Sequence, residues 1–156
     1  MHLEVTVRSA GEADVDAMAN IWHRSATLAF GDFFGGPSPD FTPEHCADWL
    51  HEHIAHTIVA TYDGVVVGLA YAGPDVHGNL CRLYVDPPTW RLGVGTCLAD
   101  AAESRLRELG IDRPLLWAPQ ASTQSRGFWE SRGWVEDGRR IEIAPSVWDV
   151  GYTKAL

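Results

Sequence analysis

Leu80-Cys81-Arg82-Leu83-Tyr84-Val85-Asp86-Pro87-Pro88-Thr89-Trp90-Arg91-Leu92-Gly93-Val94-Gly95-Thr96 is the stretch that decides the fold. Leu80 to Val85 reads as a β-strand, and Asp86-Pro87-Pro88 stops it because proline cannot donate to a ladder. From Val94 the apolar residues change period. Val94, Leu98, Ala102, Leu106 and Leu109 fall on one face of a helix, and Gly110 ends it. Glu103 and Arg107 stand at the i,i+4 spacing of a surface ion pair. Leu115-Leu116-Trp117-Ala118 follows as a short, continuously apolar run, the pattern of a central strand. Strand, long helix, strand is a crossover unit, so the two strands should lie parallel.

The remaining segments connect by hairpins and helices. Leu3 to Val7 alternates apolar and polar, as a strand does. Asp14 can cap a first helix whose stripe is Val15, Met18, Trp22, Ser25 and Ala29 and which ends near Phe30-Gly31. Gly31 to Pro43 is rich in glycine, proline and phenylalanine and reads as a loop. Thr42 caps a second helix from Pro43 to about His53. Asp63-Gly64 joins Thr57 to Tyr62 and Val65 to Ala72 as a hairpin, and Gly73 to Asn79 is a polar loop. Gln124 to Arg132 is a short helix; Trp134 to Asp137 and Val147 to Thr153 are closing strands. The chain is therefore an α/β fold: a mixed, mostly antiparallel sheet of about seven strands with about four helices, its one parallel pair flanking the crossover.

Its 156 residues suit one domain, 1–156, with a core that needs no staple. Twelve basic against 21 acidic residues give a net charge of −9, and Lys154 is the one lysine. Such a chain is a poor partner for nucleic acid or an anionic membrane face. No signal pattern opens the sequence, and no apolar run has the length of a span. Cys46, Cys81 and Cys97 are odd in number and lack ligand spacing, which points to reduced thiols in the cytoplasm. His51-Glu52-His53-Ile54-Ala55-His56 lacks the His-Glu-x-x-His spacing, so no metal is expected.

The turn between strand and helix carries the chemistry. Gly93 and Gly95 bracket one residue at a helix start, where unpaired amides and the positive dipole end favour an anion by up to about 2 kcal/mol. Arg91 adds a fixed charge. A phosphate or pyrophosphate suits this turn. A dinucleotide fold would place a third glycine where Leu98 stands, and a P-loop would need a lysine where Thr96 stands. A tight turn without a ligand is the third reading.

Leu83-Tyr84-Val85-Asp86-Pro87 with Trp90-Arg91-Leu92-Gly93-Val94-Gly95 resembles the acyl-CoA motif of the GCN5-related N-acetyltransferase (GNAT) superfamily. Phe128-Trp129-Glu130-Ser131-Arg132-Gly133-Trp134 resembles the family's Phe-Tyr-Glu-x-x-Gly-Phe/Trp segment, and Asp63-Gly64 with Val67-Gly68 its hairpin. The resemblance implies acetyl-CoA as cofactor, an amine as acceptor, and transfer by direct attack. It implies that the backbone of Leu83 and Val85 bonds the pantetheine arm, with a bulge near Tyr84 aiming an N–H at the thioester oxygen. Amides of Trp90, Arg91, Leu92, Gly93, Val94, Gly95 and Thr96 would hold the pyrophosphate. Ser122, Ser125 and Phe128 would lie along the arm. Phe30, Phe33 and Phe34 would line the acceptor pocket, unless that aromatic loop folds onto the core or, with the final strand, forms a homodimer contact.

Trp90 stands at the family's Gln/Arg position, where the phosphate contact is chiefly backbone, and two further departures bear on proton transfer. Trp129 stands where a tyrosine often protonates the departing thiolate, and an indole N–H supplies no proton at neutral pH. Asn79 stands where a glutamate often acts as base. His77, Tyr84, or Asn79 through a water are the remaining candidates for proton transfer. These departures motivate a rival reading, a non-catalytic acyl-CoA-binding or sensor module. Ligand-induced stabilisation separates the cofactor classes: acetyl-CoA should raise the melting temperature, whereas a rise with ATP or NAD alone would favour a nucleotide-binding domain.

Overall fold

The computed structural model describes residues 4–34, 41–76 and 78–156. Seven strands form one sheet: β1 (Val5–Ser9), β2 (Thr57–Tyr62), β3 (Val65–Asp75), β4 (Gly78–Val85), β5 (Leu115–Pro119), β6 (Val135–Ala144) and β7 (Val147–Thr153). Their order is β1-β2-β3-β4-β5-β7-β6. Only β4 and β5 run parallel; every other pair is antiparallel. The helices are α1 (Val15–Phe34), α2 (Pro43–Glu52), α3 (Val94–Glu108) and α4 (Thr123–Ser131).

Two cores cover the two faces. One packs Leu98, Ala102 and Leu106 of α3 and Trp129 of α4 against Ala70, Cys81, Leu116, Val150 and Tyr152 of the sheet. The other packs Met18, Ile21 and Trp22 of α1 and Cys46 and Leu50 of α2 against Val59 and Leu69. Gly68 explains how α3 approaches so closely. A Cβ there would stand 2.8 Å from Leu98 Cδ1 and 3.1 Å from both the Tyr84 carbonyl oxygen and Val94 Cγ1.

Several elements differ from the sequence reading. The first helix runs past Gly31 to Phe34, so the first four residues of the anticipated loop are helical. Asp14 does not cap it. Its carboxylate instead accepts the Gly11 N–H at 2.8 Å and both Arg8 guanidinium nitrogens at 2.8 and 2.9 Å, closing a short 3-10 turn. Strand β3 continues through Pro74 to Asp75. Its register with β2 starts at Tyr71, so no neighbouring strand on that side awaits the N–H that Pro74 lacks. Strand β6 extends to Ala144, joined to β7 across two register shifts that interrupt the alternation.

Glu103 is the larger surprise. It is 2 % exposed, and its carboxylate pairs with Arg132 and Lys154 rather than with Arg107. Arg132 follows α4 and Lys154 follows β7, so one buried acid on α3 ties both to the back of the sheet. No helix among the described residues is long and apolar enough to cross a membrane. Gly68→Val should cost about 1–3 kcal/mol through overpacking. Urea denaturation reads this as a lower midpoint, and an unchanged midpoint would contradict the close approach of α3.

Candidate active site

Strands β4 and β5 share one ladder pair, Leu80 with Leu115, and then diverge. Strand β5 is instead paired with β7 along its whole length, from Leu115–Thr153 to Pro119–Asp149. Between the parted strands lies a cleft of about 520 Å³, lined on one side by Leu83, Tyr84 and Val85 and on the other by Leu116, Trp117 and Pro119.

Ladder alternation says which backbone groups face it. The Asp86 N–H donates to the Val67 carbonyl at 2.8 Å, on the β3 side. Alternate residues of a strand turn their amides to the same side, so Tyr84 and Arg82 serve β3 while Leu83 and Val85 turn theirs toward β5. There β5 has already departed. The Val85 carbonyl accepts the Trp90 indole N–H at 2.8 Å. The anticipated bulge near Tyr84 is absent: the β3–β4 register runs unbroken from Gly68–Val85 to Asp75–Gly78. Divergence of the strands, rather than an extra residue, frees the amides.

The helix turn closes one end of the cleft. Gly93 caps α3 at φ 84°, and Arg91 also takes the left-handed region at φ 72°. No side chain caps this helix and its first turn holds no acid, so its leading amides keep their donors for a ligand. Gly93, Gly95, Thr96, Arg91 and Trp90 line the cleft. Leu92 lies outside the lining with its side chain half exposed, and Val94, the first residue of α3, is buried against the sheet; either can offer only backbone. A Cβ on Gly95 would sit 3.6 Å from Phe128 Cζ, in the space between the helix start and α4. Ser122, Ser125 and Phe128 line the same wall, and the Ser125 N–H donates to Ser122 Oγ at 3.2 Å, capping α4. Open strand amides, an uncapped helix start and a glycine at the wall fit an elongated ligand with an anionic group at one end.

The sheet face toward α1 and α2 carries Tyr84 and Asp149, and the α3 face carries Cys81 and Trp129. Tyr84 stacks on Trp22 with ring centroids 5.1 Å apart. Burial raises the Tyr84 phenol above its usual range, with Arg82 opposing. At neutral pH it is a donor and not a base. Burial pushes the Asp149 carboxyl up to about 6, against the pull of Arg82. Sequence reasoning missed Asp149, because only the β5–β7 pairing carries it to the cleft. Cys81 lines the cleft, but burial pushes its thiol up to about 12, which removes it as a nucleophile. Trp129 is 6 % exposed and packs edge-on against Trp134, its centroid 5.5 Å away.

Other candidates fall elsewhere. Asn79 is exposed, pairs with Pro74 at the far end of β4 and does not line the cleft. His77 lies outside the described residues, as do the side chains of Phe30, Phe33 and Phe34. His51 pairs with Glu12, whereas His53 stacks on Trp49 at 3.8 Å, so the two histidines serve different partners. No group of three or more metal-ligand side chains occurs among the described residues.

Solved structures with this architecture are numerous. The ribosomal-protein-alanine N-acetyltransferase from Brucella melitensis aligns at TM-score 0.77 and 21 % identity, covering 97 % of this chain and 99 % of its own. YncA from Salmonella typhimurium, solved with acetyl-CoA, aligns at 0.75 and 18 %, covering 97 % and 94 %. The PaiA N-acetyltransferase from Thermoplasma acidophilum, in complex with coenzyme A, aligns at 0.72 and 15 %, covering 98 % and 99 %. No curated protein matches the sequence significantly. These likenesses establish the fold. The model of the acetyltransferase (GNAT) family matches residues 16–134, a span that includes α3, the diverging strands and α4. With that match over most of its length, the chain belongs to the GNAT acetyltransferase family.

Proposed function

We propose that the protein transfers the acetyl group of acetyl-CoA to a primary amine by direct attack. The observation that carries this reading is the cleft between β4 and β5, open on the Leu83 and Val85 amides and ending at the bare start of α3. An acyl-CoA has the matching shape, an extended amide-bearing arm ending in a pyrophosphate. The thioester supplies an electrophilic carbonyl and a thiolate leaving group.

The chain's own residues then divide the work. Amides of Gly93, Val94, Gly95 and Thr96, with the Arg91 charge, hold the phosphates. The edge of β4 holds the arm as an added strand. A backbone N–H of that edge stands ready for the carbonyl oxygen as it gains negative charge. Phe128 and Trp129 wall the cleft on the α4 side. Ser122 keeps its hydroxyl proton for the ligand while its oxygen caps α4.

Magnitudes indicate where help is needed. A thiol titrates near 8.5, so at pH 7 protonation of the thiolate contributes only roughly 2 kcal/mol. An alkyl ammonium titrates near 10.4, and freeing its lone pair at pH 7 costs about 4.6 kcal/mol. A base for the amine therefore matters more than an acid for the thiolate, and Trp129 in place of a tyrosine is no obstacle to turnover.

Two measurements test the reading. Coenzyme A release in the presence of a panel of amines should be seen with acetyl-CoA; tight acetyl-CoA binding without release from any amine would favour the sensor module instead. Gly95→Glu, which puts a bulky anion into the phosphate space, should weaken acetyl-CoA binding at least about 100-fold by calorimetry. Unchanged affinity in that variant would contradict the assignment of the helix start.

A further inference from the structure

The acetyl-CoA contacts proposed above leave two charged side chains of the cleft, Arg82 and Asp149, without a role. Both line the cavity, and both lie on the face toward α1 and α2. Cys81, Leu83 and Val85 pack on the α3 side, so Arg82 and Tyr84 between them point the other way. Val150 and Tyr152 likewise pack on the α3 side, which turns Asp149 to the face of Arg82. Strand β5 separates them, so two ladder spacings set their backbones about 10 Å apart, and further where the strands diverge.

The two charges do not neutralise each other. No ion pair joins them among the described residues, and Asp149 Oδ1 and Arg82 Nε are each buried without a hydrogen-bond partner. A buried charge left short of partners is costly, so a complementary ligand has a large term to recover. Arg82 is positioned by aromatic faces instead of a carboxylate. Its guanidinium carbon lies 4.9 Å from the Trp49 ring centroid and 5.4 Å from that of Trp22. Stacking on the faces leaves the planar fork of N–H donors for an anion. Asp149 is fixed by its strand, between Pro119 of β5 and Ile141 of β6. Among the described residues it is the one carboxylate in the lining of the cleft.

Opposite charges held apart in one cavity complement a ligand that carries both. We propose that Arg82 and Asp149 form the acceptor site for a small α-amino acid, Arg82 binding its carboxylate and Asp149 receiving its ammonium group and then a proton. This rests on the acetyl transfer proposed above and names its acceptor. The ammonium gives one proton to Asp149. The freed lone pair forms the N–C bond to the thioester carbon, and the C–S bond breaks with its electron pair on sulfur. The nitrogen's second departing proton reaches that sulfur through water, and Asp149 returns the first to solvent. Tyr84, kept protonated and adjacent to Arg82, can donate to the bound carboxylate.

The test is coenzyme A release by the native protein with free L-amino acids against their matched carboxamides, which keep the amine and lose the anion. Free amino acids should be preferred in kcat/KM by roughly 30-fold or more, the scale of a charge-assisted bidentate contact. Arg82→Gln should abolish that preference by raising KM for the acids alone, with acetyl-CoA affinity unchanged. Asp149→Asn should lower kcat about 10²–10⁴-fold for every acceptor, also with acetyl-CoA affinity unchanged. The native preference needs no variant, so the test holds even if a substitution unfolds the chain. Amides, peptides or polyamines used as well as amino acids would overturn the acceptor assignment and leave acetyl transfer standing. Bound acetyl-CoA with no release from any amine would overturn both.

Discussion

Leu80 and Leu115 are the single point at which the two halves of the sheet are stitched by a ladder. On one side β1 to β4 pair antiparallel in chain order, with one register shift between Ala60 and Thr61; on the other β5 pairs with β7 and β7 with β6, also antiparallel. Beyond that point the strands must part, because β5 follows β7 while β4 follows β3. An unpaired amide buried without water or a ligand costs about 1–3 kcal/mol. The cleft is thus a line of unmet backbone groups that the fold cannot satisfy by itself. The site, its length and its polarity all derive from this one failure of pairing.

A second link holds the halves together behind the cleft. Helix α3 packs on β1 to β4, yet its Glu103 reaches Arg132 and Lys154, which belong to the other half. The Leu156 N–H also donates to the Asp112 carbonyl at 2.9 Å, adding the chain end to the same seam. The front can therefore stay open without the halves separating. Burial of the acid is tolerable because two cations and several hydrogen bonds meet it.

The fold was largely legible from sequence because its strongest signals are local. Periodicity set α3, the Asp63-Gly64 hairpin set β2 and β3, and the crossover argument set the parallel pair. The shape of the turn from Trp90 to Thr96, with Gly93 before the start of α3, was legible for the same reason, since consecutive residues set it. What escaped was what depends on distant partners. Glu103 reads as a surface residue until Lys154, 51 positions away, is brought beside it. Asp149 sits in a strand with no motif, and only its pairing with Pro119 delivers it to the cleft. The extra residues of β6 escaped because register shifts break the two-residue period by which strands are recognised. Asn79 illustrates the converse: it lies within β4, but at the end of the strand away from the helix turn, a separation that only the strand's length reveals.

Tryptophan placement has an optical consequence. Of the seven indoles in the chain, Trp90, Trp117 and Trp129 border the cleft. Trp90 caps the end of β4 through its hydrogen bond to Val85, at the junction of strand and helix turn. Trp117 is stacked under the Arg139 guanidinium, 4.7 Å from its centroid, and Trp129 forms the inner wall. Intrinsic emission from these three rings reports on the polarity of the cavity itself, so the molecule carries its own fluorescent gauge of occupancy, with one ring at the helix turn, one on β5 and one on α4.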